Sequence, residues 1–152
     1  MGGSKKTAKI IIIVLAGLMV LAGIFMVGRL VGSGVRNRGV SEEERFHEGL
    51  KMGVESSAAD LPRMVDEITR MDSAEVTGKN EVTVMFTIID FPDNVDMDIF
   101  ARTMETQLVE NMRSHPQYEI YKDTGVTAKY IYRDSDGKVL LTIELTPEKY
   151  AN

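Results

Sequence analysis

The sequence predicts an α+β fold: an N-terminal transmembrane helix followed by a small domain, in which a four-stranded, largely antiparallel sheet carries helices on one face in the order α-ββ-α-ββ. Three observations predict it. Residues 10–28 contain no charge. Two pairs of downstream runs alternate apolar and polar residues around turn formers, the period of half-buried strands. Between and before those pairs, apolar residues recur at helical spacing.

The 152 residues and four prolines allow one modest domain with appendages. Cysteine is absent, which excludes disulfides, thiolate metal sites and a cysteine nucleophile. It also excludes a lipoprotein signal, because Leu21-Ala22-Gly23 is followed by Ile24 where an acylated cysteine would stand. Charge divides sharply along the chain. Residues 1–40 hold six bases and no acid, whereas residues 41–152 hold twelve bases and all twenty-three acids, a net −11. So acidic a body repels phosphates and offers no basic stripe with stacking aromatics, so no nucleic acid partner is expected.

The nineteen residues 10–28, IIIIVLAGLMVLAGIFMVG, span about 28 Å as a helix, the thickness of a bilayer core. A cleaved signal peptide competes, with Lys5 and Lys6 as its basic leader and Gly32-Ser33-Gly34 as small residues. Its apolar segment is usually about 7–15 residues long. The greater length here favours a retained anchor, with the lipid bilayer as one partner. Orientation is nearly balanced by charge, since Lys5, Lys6 and Lys9 face Arg29, Arg36, Arg38 and Arg45 across the span. The short tail and the basic-then-apolar order favour an acidic domain outside the cytoplasm, on the periplasmic side. The expected organisation is a basic tail over 1–9, a transmembrane helix over 10–31, a linker and short helix over 32–57, and the α+β domain over 58–150.

Ser41-Glu42-Glu43-Glu44 has the spacing of a capping box and predicts a short helix that fades between Gly49 and Gly53. Leu61, Met64, Val65 and Ile68 lie at i, i+3, i+4 and i+7, with Pro62 tolerated in a first turn, and predict an amphipathic helix over 60–70. The runs 73–77 and 81–89 flank Gly78-Lys79-Asn80 and predict a hairpin with Val82, Val84, Phe86 and Ile88 on one face. Asp96 or Asp98 caps a longer helix to about Ser114 whose buried stripe is Phe100, Met104, Leu108 and Met112. Pro116 restarts a helical turn through Tyr118 and Tyr121, which Gly125 ends.

The last hairpin brackets Asp134-Ser135-Asp136-Gly137. Read as a calcium loop with Asp134 and Asp136 at positions 3 and 5, it would need a bidentate acid where Ile143 stands. Asp-Gly between the alternating residues Val126, Ala128, Tyr130, Tyr132 and Val139, Leu141, Ile143, Leu145 is instead a hairpin signal. The acids Asp90, Asp93, Asp96 and Asp98 also lack the order of a calcium loop. His47 has no neighbouring ligand to complete a metal set. The predicted sheet has a wetter second face bearing Thr83, Thr87, Lys129, Arg133, Thr142 and Glu144. Methionines at 64, 104 and 112 fall on core stripes and read as core filling.

The segments LPRMVDEITRMDS (61–73) and GVTAKYIYRDSDGK (125–138) resemble a family of uncharacterised small bacterial proteins, exported or held by one membrane helix, with the pattern LPxxVDxxTRxDS then GVTxxYxYxDxxGK. The resemblance covers about residues 58–150 and implies a fold rather than an activity. It also implies a cysteine near the end of the long helix and another at the C-terminus, where this chain has Arg113 and Tyr150.

No serine or cysteine with an adjacent base is recognisable, and Asp66 and Glu67 diverge on any helix, so no enzyme, catalytic residue, metal or cofactor is expected. The leading expectation is a membrane-anchored interaction or assembly module of the bacterial envelope with a protein partner, since tethering makes weak docking sufficient. Two alternatives remain: a small-ligand sensor or carrier with a pocket near Phe86, Tyr130 and Tyr132, or an accessory subunit that binds a membrane complex through its transmembrane helix.

Overall fold

The computed structural model describes residues 39–114 and 118–151. The basic tail, the transmembrane span over 10–31, His115 and Pro116 lie outside the described residues. The elements run α1 (Glu42–Ala58), β1 (Arg63–Met64), β2 (Thr69–Val76), β3 (Glu81–Ile88), α2 (Met97–Ser114), α3 (Glu119–Thr124), β4 (Thr127–Asp134), β5 (Val139–Leu145) and α4 (Pro147–Tyr150). The strands form one five-stranded sheet in sequence order, β1 to β5. Three pairings are antiparallel; β3 and β4 are parallel and are joined by the crossover through α2 and α3. The four-stranded expectation is therefore corrected to a mixed sheet of five.

The capping box forms as the spacing dictates: Glu44 N–H donates to Ser41 Oγ (3.2 Å) and Ser41 N–H to Glu44 Oε2 (3.0 Å). The helix that follows runs through both glycines to Ala58, because Leu50 and Val54 are buried in the domain core and hold it down. The expected helix over 60–70 is not formed. Asp66 Oδ1 accepts from the N–H groups of Ile68 (2.9 Å) and Thr69 (2.7 Å), closing a turn with donors that a helix would have used internally. Arg63 and Met64 pair with Met71 and Arg70 as antiparallel strands instead. Leu61, Val65 and Ile68 still pack at the core margin, but Met64 is left 47% exposed and is not a core residue.

Asp96 caps α2, its Oδ1 accepting from Asp98 N–H (3.0 Å) and Ile99 N–H (3.1 Å). Phe100, Met104, Leu108 and Met112 are all buried, as their spacing predicts. Gly125 ends α3 at φ 67°, a left-handed conformation glycine adopts without strain, and its N–H donates to Tyr121 C=O. In the last hairpin Ser135, Asp136, Gly137 and Lys138 connect the strands, with Gly137 at φ 84°. Asp134 Oδ1 there accepts from Asp136 N–H and Lys138 N–H, both at 2.9 Å, so the carboxylate holds the bend.

One core lies between a single sheet face and the helices. It gathers Val82, Val84, Phe86 and Ile88 of β3, Ala128, Tyr130 and Tyr132 of β4, and the buried residues of α1 and α2. Met85 and Ile131, on the opposite face, stand outside that cluster and are half-buried.

Candidate functional site

The structure brings Phe86, Tyr130 and Tyr132 together. Val84 pairs with Tyr130 and Phe86 with Tyr132 across the parallel seam, and the Phe86 and Tyr132 rings stack with centroids 5.1 Å apart and planes 12° apart. All three are at most 3% exposed. Burial pushes the hydroxyls of Tyr130 and Tyr132 well above the usual tyrosine range, so they stay protonated. Surface clefts among the described residues lie elsewhere. One of about 890 Å³ opens between the start of α1 and the β2–β3 turn and is lined by Glu43, Glu44, His47, Glu48 and Lys79 among others. A smaller one of about 340 Å³ separates α1 from β2. His47, for which the sequence offers no second metal ligand, is half-buried there, with Nδ1–H donating to Lys79 C=O (2.7 Å). Among the described residues no three His, Cys, Asp or Glu side chains converge as a metal site would need.

The most organised polar constellation is on the outer face of the sheet. The β2–β3 register shifts between Met71 and Ser73, so Asp72 is the extra residue of a bulge, a device that re-aims a side chain. Its carboxylate accepts from Arg70 Nε (2.6 Å), Thr87 Oγ1 (2.6 Å) and Arg133 Nη2 (3.1 Å). These donors come from β2, β3 and β4, and Arg70, Thr87 and Arg133 are consecutive partners in the strand register. One carboxylate thus clamps the β2–β3 hairpin to the parallel seam. Burial alone would raise the pKa of Asp72, but the hydrogen bonds from Thr87, Arg70 and Arg133 outweigh it and hold the carboxyl below its usual 3.8.

The sign of the pH effect follows. A carboxylate with a depressed native pKa contributes stability above its unfolded value, about 3.9, and loses it as pH falls through the native value. Asp72→Asn is expected to cost about 1–2 kcal/mol at neutral pH, toward the lower part of the range for charged hydrogen bonds because Arg70 is 43% exposed. The same substitution should flatten the stability loss below about pH 4. Urea unfolding at pH 7 and pH 3 checks both, and an equal deficit at the two pH values counts against the clamp.

Sequence reasoning placed Thr87 and Arg133 on the wetter face but missed Asp72. The available signal was the Arg-x-Asp spacing within a strand-like run, since residues two apart on a strand share a face.

A family model described as "Domain of unknown function (DUF8479)" matches residues 46–141. The chain belongs to the DUF8479 family. The matched segment of this DUF8479 chain begins inside α1, ends inside β5 and includes the whole Asp72 constellation. No curated protein matches the chain in sequence. Among solved structures, a Pseudomonas aeruginosa protein described as secreted is similar with a TM-score of 0.58 and 15% identity, over 73% of this chain and 98% of that one. The pilotin of the Vibrio vulnificus type 2 secretion system is similar with a TM-score of 0.56 and 18% identity, over 73% of this chain and 96% of that one. At these identities the likeness is one of fold.

Proposed function

We propose that this DUF8479 protein is a non-enzymatic assembly module of the bacterial envelope, held at a membrane by residues 10–31 and docking a protein partner outside the cytoplasm. The observation that carries the reading is the shared fold: nearly the whole of a secretion-system pilotin superposes on the domain. The charge division supports it. A basic, apolar N-terminus suits a bilayer, and a body at −11 is kept off anionic headgroups. A tether of this kind confines the domain near its partners, so a surface of modest affinity is enough.

Expressed from its own promoter, the full chain is expected to sediment with membranes and resist extraction by salt and alkaline carbonate, while a version lacking residues 1–31 is released. Protease added to intact spheroplasts should digest the domain. A mature chain that starts after residue 30 and stays in the soluble fraction would remove the tether and the proposal with it.

A further inference from the structure

The two edges of the sheet are finished differently. At one edge β5 is guarded: Lys149 Nζ lies across it and donates to Glu144 C=O (2.9 Å), and a register shift leaves Leu140 as an extra residue in the strand. At the other edge β1 covers only the start of β2. Val65 N–H donates to Thr69 C=O (2.9 Å) and Arg63 is the register partner of Met71, so the edge is paired as far as Met71. Beyond the Asp72 bulge the pairing stops. Thr77 N–H donates to Glu81 C=O (3.0 Å), and antiparallel bonding alternates, so Glu75 and Ser73 bond β3 while Ala74 and Val76 turn N–H and C=O away from it. Among the described residues no hydrogen bond reaches those groups from the open side. The slot of about 340 Å³ runs along this stretch, between the Lys51, Glu55 and Ala58 side of α1 and residues 74–76 of β2. Ala74 and Val76 face the core and Glu75 the opposite way, so the edge of the strand is what brings all three to one slot. The slot meets the larger cleft at Val76, where the Lys79–Glu43 ion pair (2.5 Å) and the His47 bond to Lys79 C=O tie the β2–β3 turn to α1. Along the same walls Glu48, Glu55 and Glu75 are exposed and enter no salt bridge among the described residues.

We infer that the slot between α1 and β2 takes an extended, basic segment of a protein partner, which joins the sheet as a further strand along residues 74–76. The outward N–H and C=O groups of Ala74 and Val76 pair with its backbone, whatever its sequence. Successive side chains of an added strand point to opposite sides. Lysine or arginine on one side therefore reaches Glu48 and Glu55 of α1, and on the other side Glu75, which is where the charge complementarity lies. The backbone groups separate this occupant from a small cation, which would engage the acids and leave the edge unpaired. An anionic lipid surface or a nucleic acid is repelled by the same glutamates. The open edge is short, so the docking is weak, and the tether makes weak docking sufficient. The inference deepens the assembly reading, because it rests on the partner being a protein.

The test uses the full chain in detergent micelles and a fluorescent eight-residue peptide alternating lysine and valine. It is compared with the same peptide carrying glutamate for lysine, and with two lysine peptides N-methylated at alternate residues, one in each frame. The lysine peptide should bind saturably by anisotropy, the glutamate peptide at least tenfold more weakly, and one of the two N-methylated frames at least tenfold more weakly as well. Glu55→Lys and Val76→Pro should each weaken the lysine peptide at least fivefold. Val76→Pro removes an outward N–H and no bond to β3. Glu55→Lys changes an exposed side chain and should leave the thermal melt unchanged, so it decides the matter even if Val76→Pro unfolds the domain. No binding, equal binding of the lysine and glutamate peptides, indifference to N-methylation in both frames, or indifference to Glu55→Lys overturns the inference. So does a homodimer that Val76→Pro dissociates. If Arg36→Glu with Arg38→Glu tightens the lysine peptide at least tenfold, the chain's own linker fills the slot, which also overturns it. Crosslinking in native membranes separates this surface from the broader reading. A captured protein lost in both Glu55→Lys and Val76→Pro supports the slot; one retained overturns the slot while leaving the assembly role standing, and capture of no protein removes both.

Discussion

Tyr132→Ala is expected to destabilise the domain by about 3–5 kcal/mol, the cost of emptying a well-packed aromatic site. Tyr132 is 1% exposed, stacks on Phe86 across the β3–β4 seam, and is the register partner of Leu141 on β5. Its loss leaves a hole facing three strands and removes a ring contact worth about 0.5–1.5 kcal/mol beyond its area. Against a total stability of about 5–15 kcal/mol, this is a large fraction. The melting temperature should fall by more than about 12 °C. Calorimetry of the variant also tests the ligand-pocket alternative. A floor for a bound molecule would lose ligand affinity at nearly unchanged melting temperature, whereas a core ring loses stability first. Tyr130→Ala should behave alike, since Tyr130 is equally enclosed, at 3% exposure.

The second large effect is expected at Tyr150. This residue is fully buried, and its hydroxyl lies between the backbone carbonyls of Tyr121, at 3.1 Å, and Val126. It fastens α4 to the end of α3 and the start of β4. Arg113 Nη2 donates to the neighbouring Lys149 C=O (2.7 Å), and Lys149 Nζ reaches Glu105 (2.7 Å). Tyr150→Ala should cost about 3–5 kcal/mol, and Tyr150→Phe about 1–2 kcal/mol for the lost hydroxyl alone. Burial, with the Glu148 charge adding to it, pushes the Tyr150 hydroxyl up to about 12. A phenol raised in this way contributes stability below its unfolded value near 10 and loses it as pH climbs to about 12. Tyr150→Phe should therefore soften the alkaline unfolding limb by one group's share. Denaturant melts at pH 8 and pH 11 measure it, and an equal deficit at both would speak against the buried hydroxyl.

What the sequence made legible was local. The Ser41 box, the α2 stripe and the Asp134 bend each depend on residues a few positions apart, and each forms as expected. The region over 60–70 misleads because four apolar residues at helical spacing say nothing about Asp66, whose side chain takes two backbone donors and turns the chain. The fifth strand escapes notice because β1 is two residues long and shows no alternation. The alternation of Phe86, Tyr130 and Tyr132 correctly gives them one face. Whether that face is packed or hollow depends on the helices laid against it. Asp72 and Arg133 meet across 61 positions, which no window of sequence reveals.

The parallel pairing of β3 with β4 also bears on how the chain reaches its native state. Every partner across that seam is 46 positions away in sequence, whereas the β2–β3 and β4–β5 turns join near neighbours. Closing so long a loop carries an entropic cost before any contact repays it, so the two hairpins should assemble early and their meeting should limit the folding rate. Until they meet, each hairpin has an unpaired rim of backbone donors and acceptors, and the interval after synthesis is when the protein is most exposed to pairing with the wrong chain.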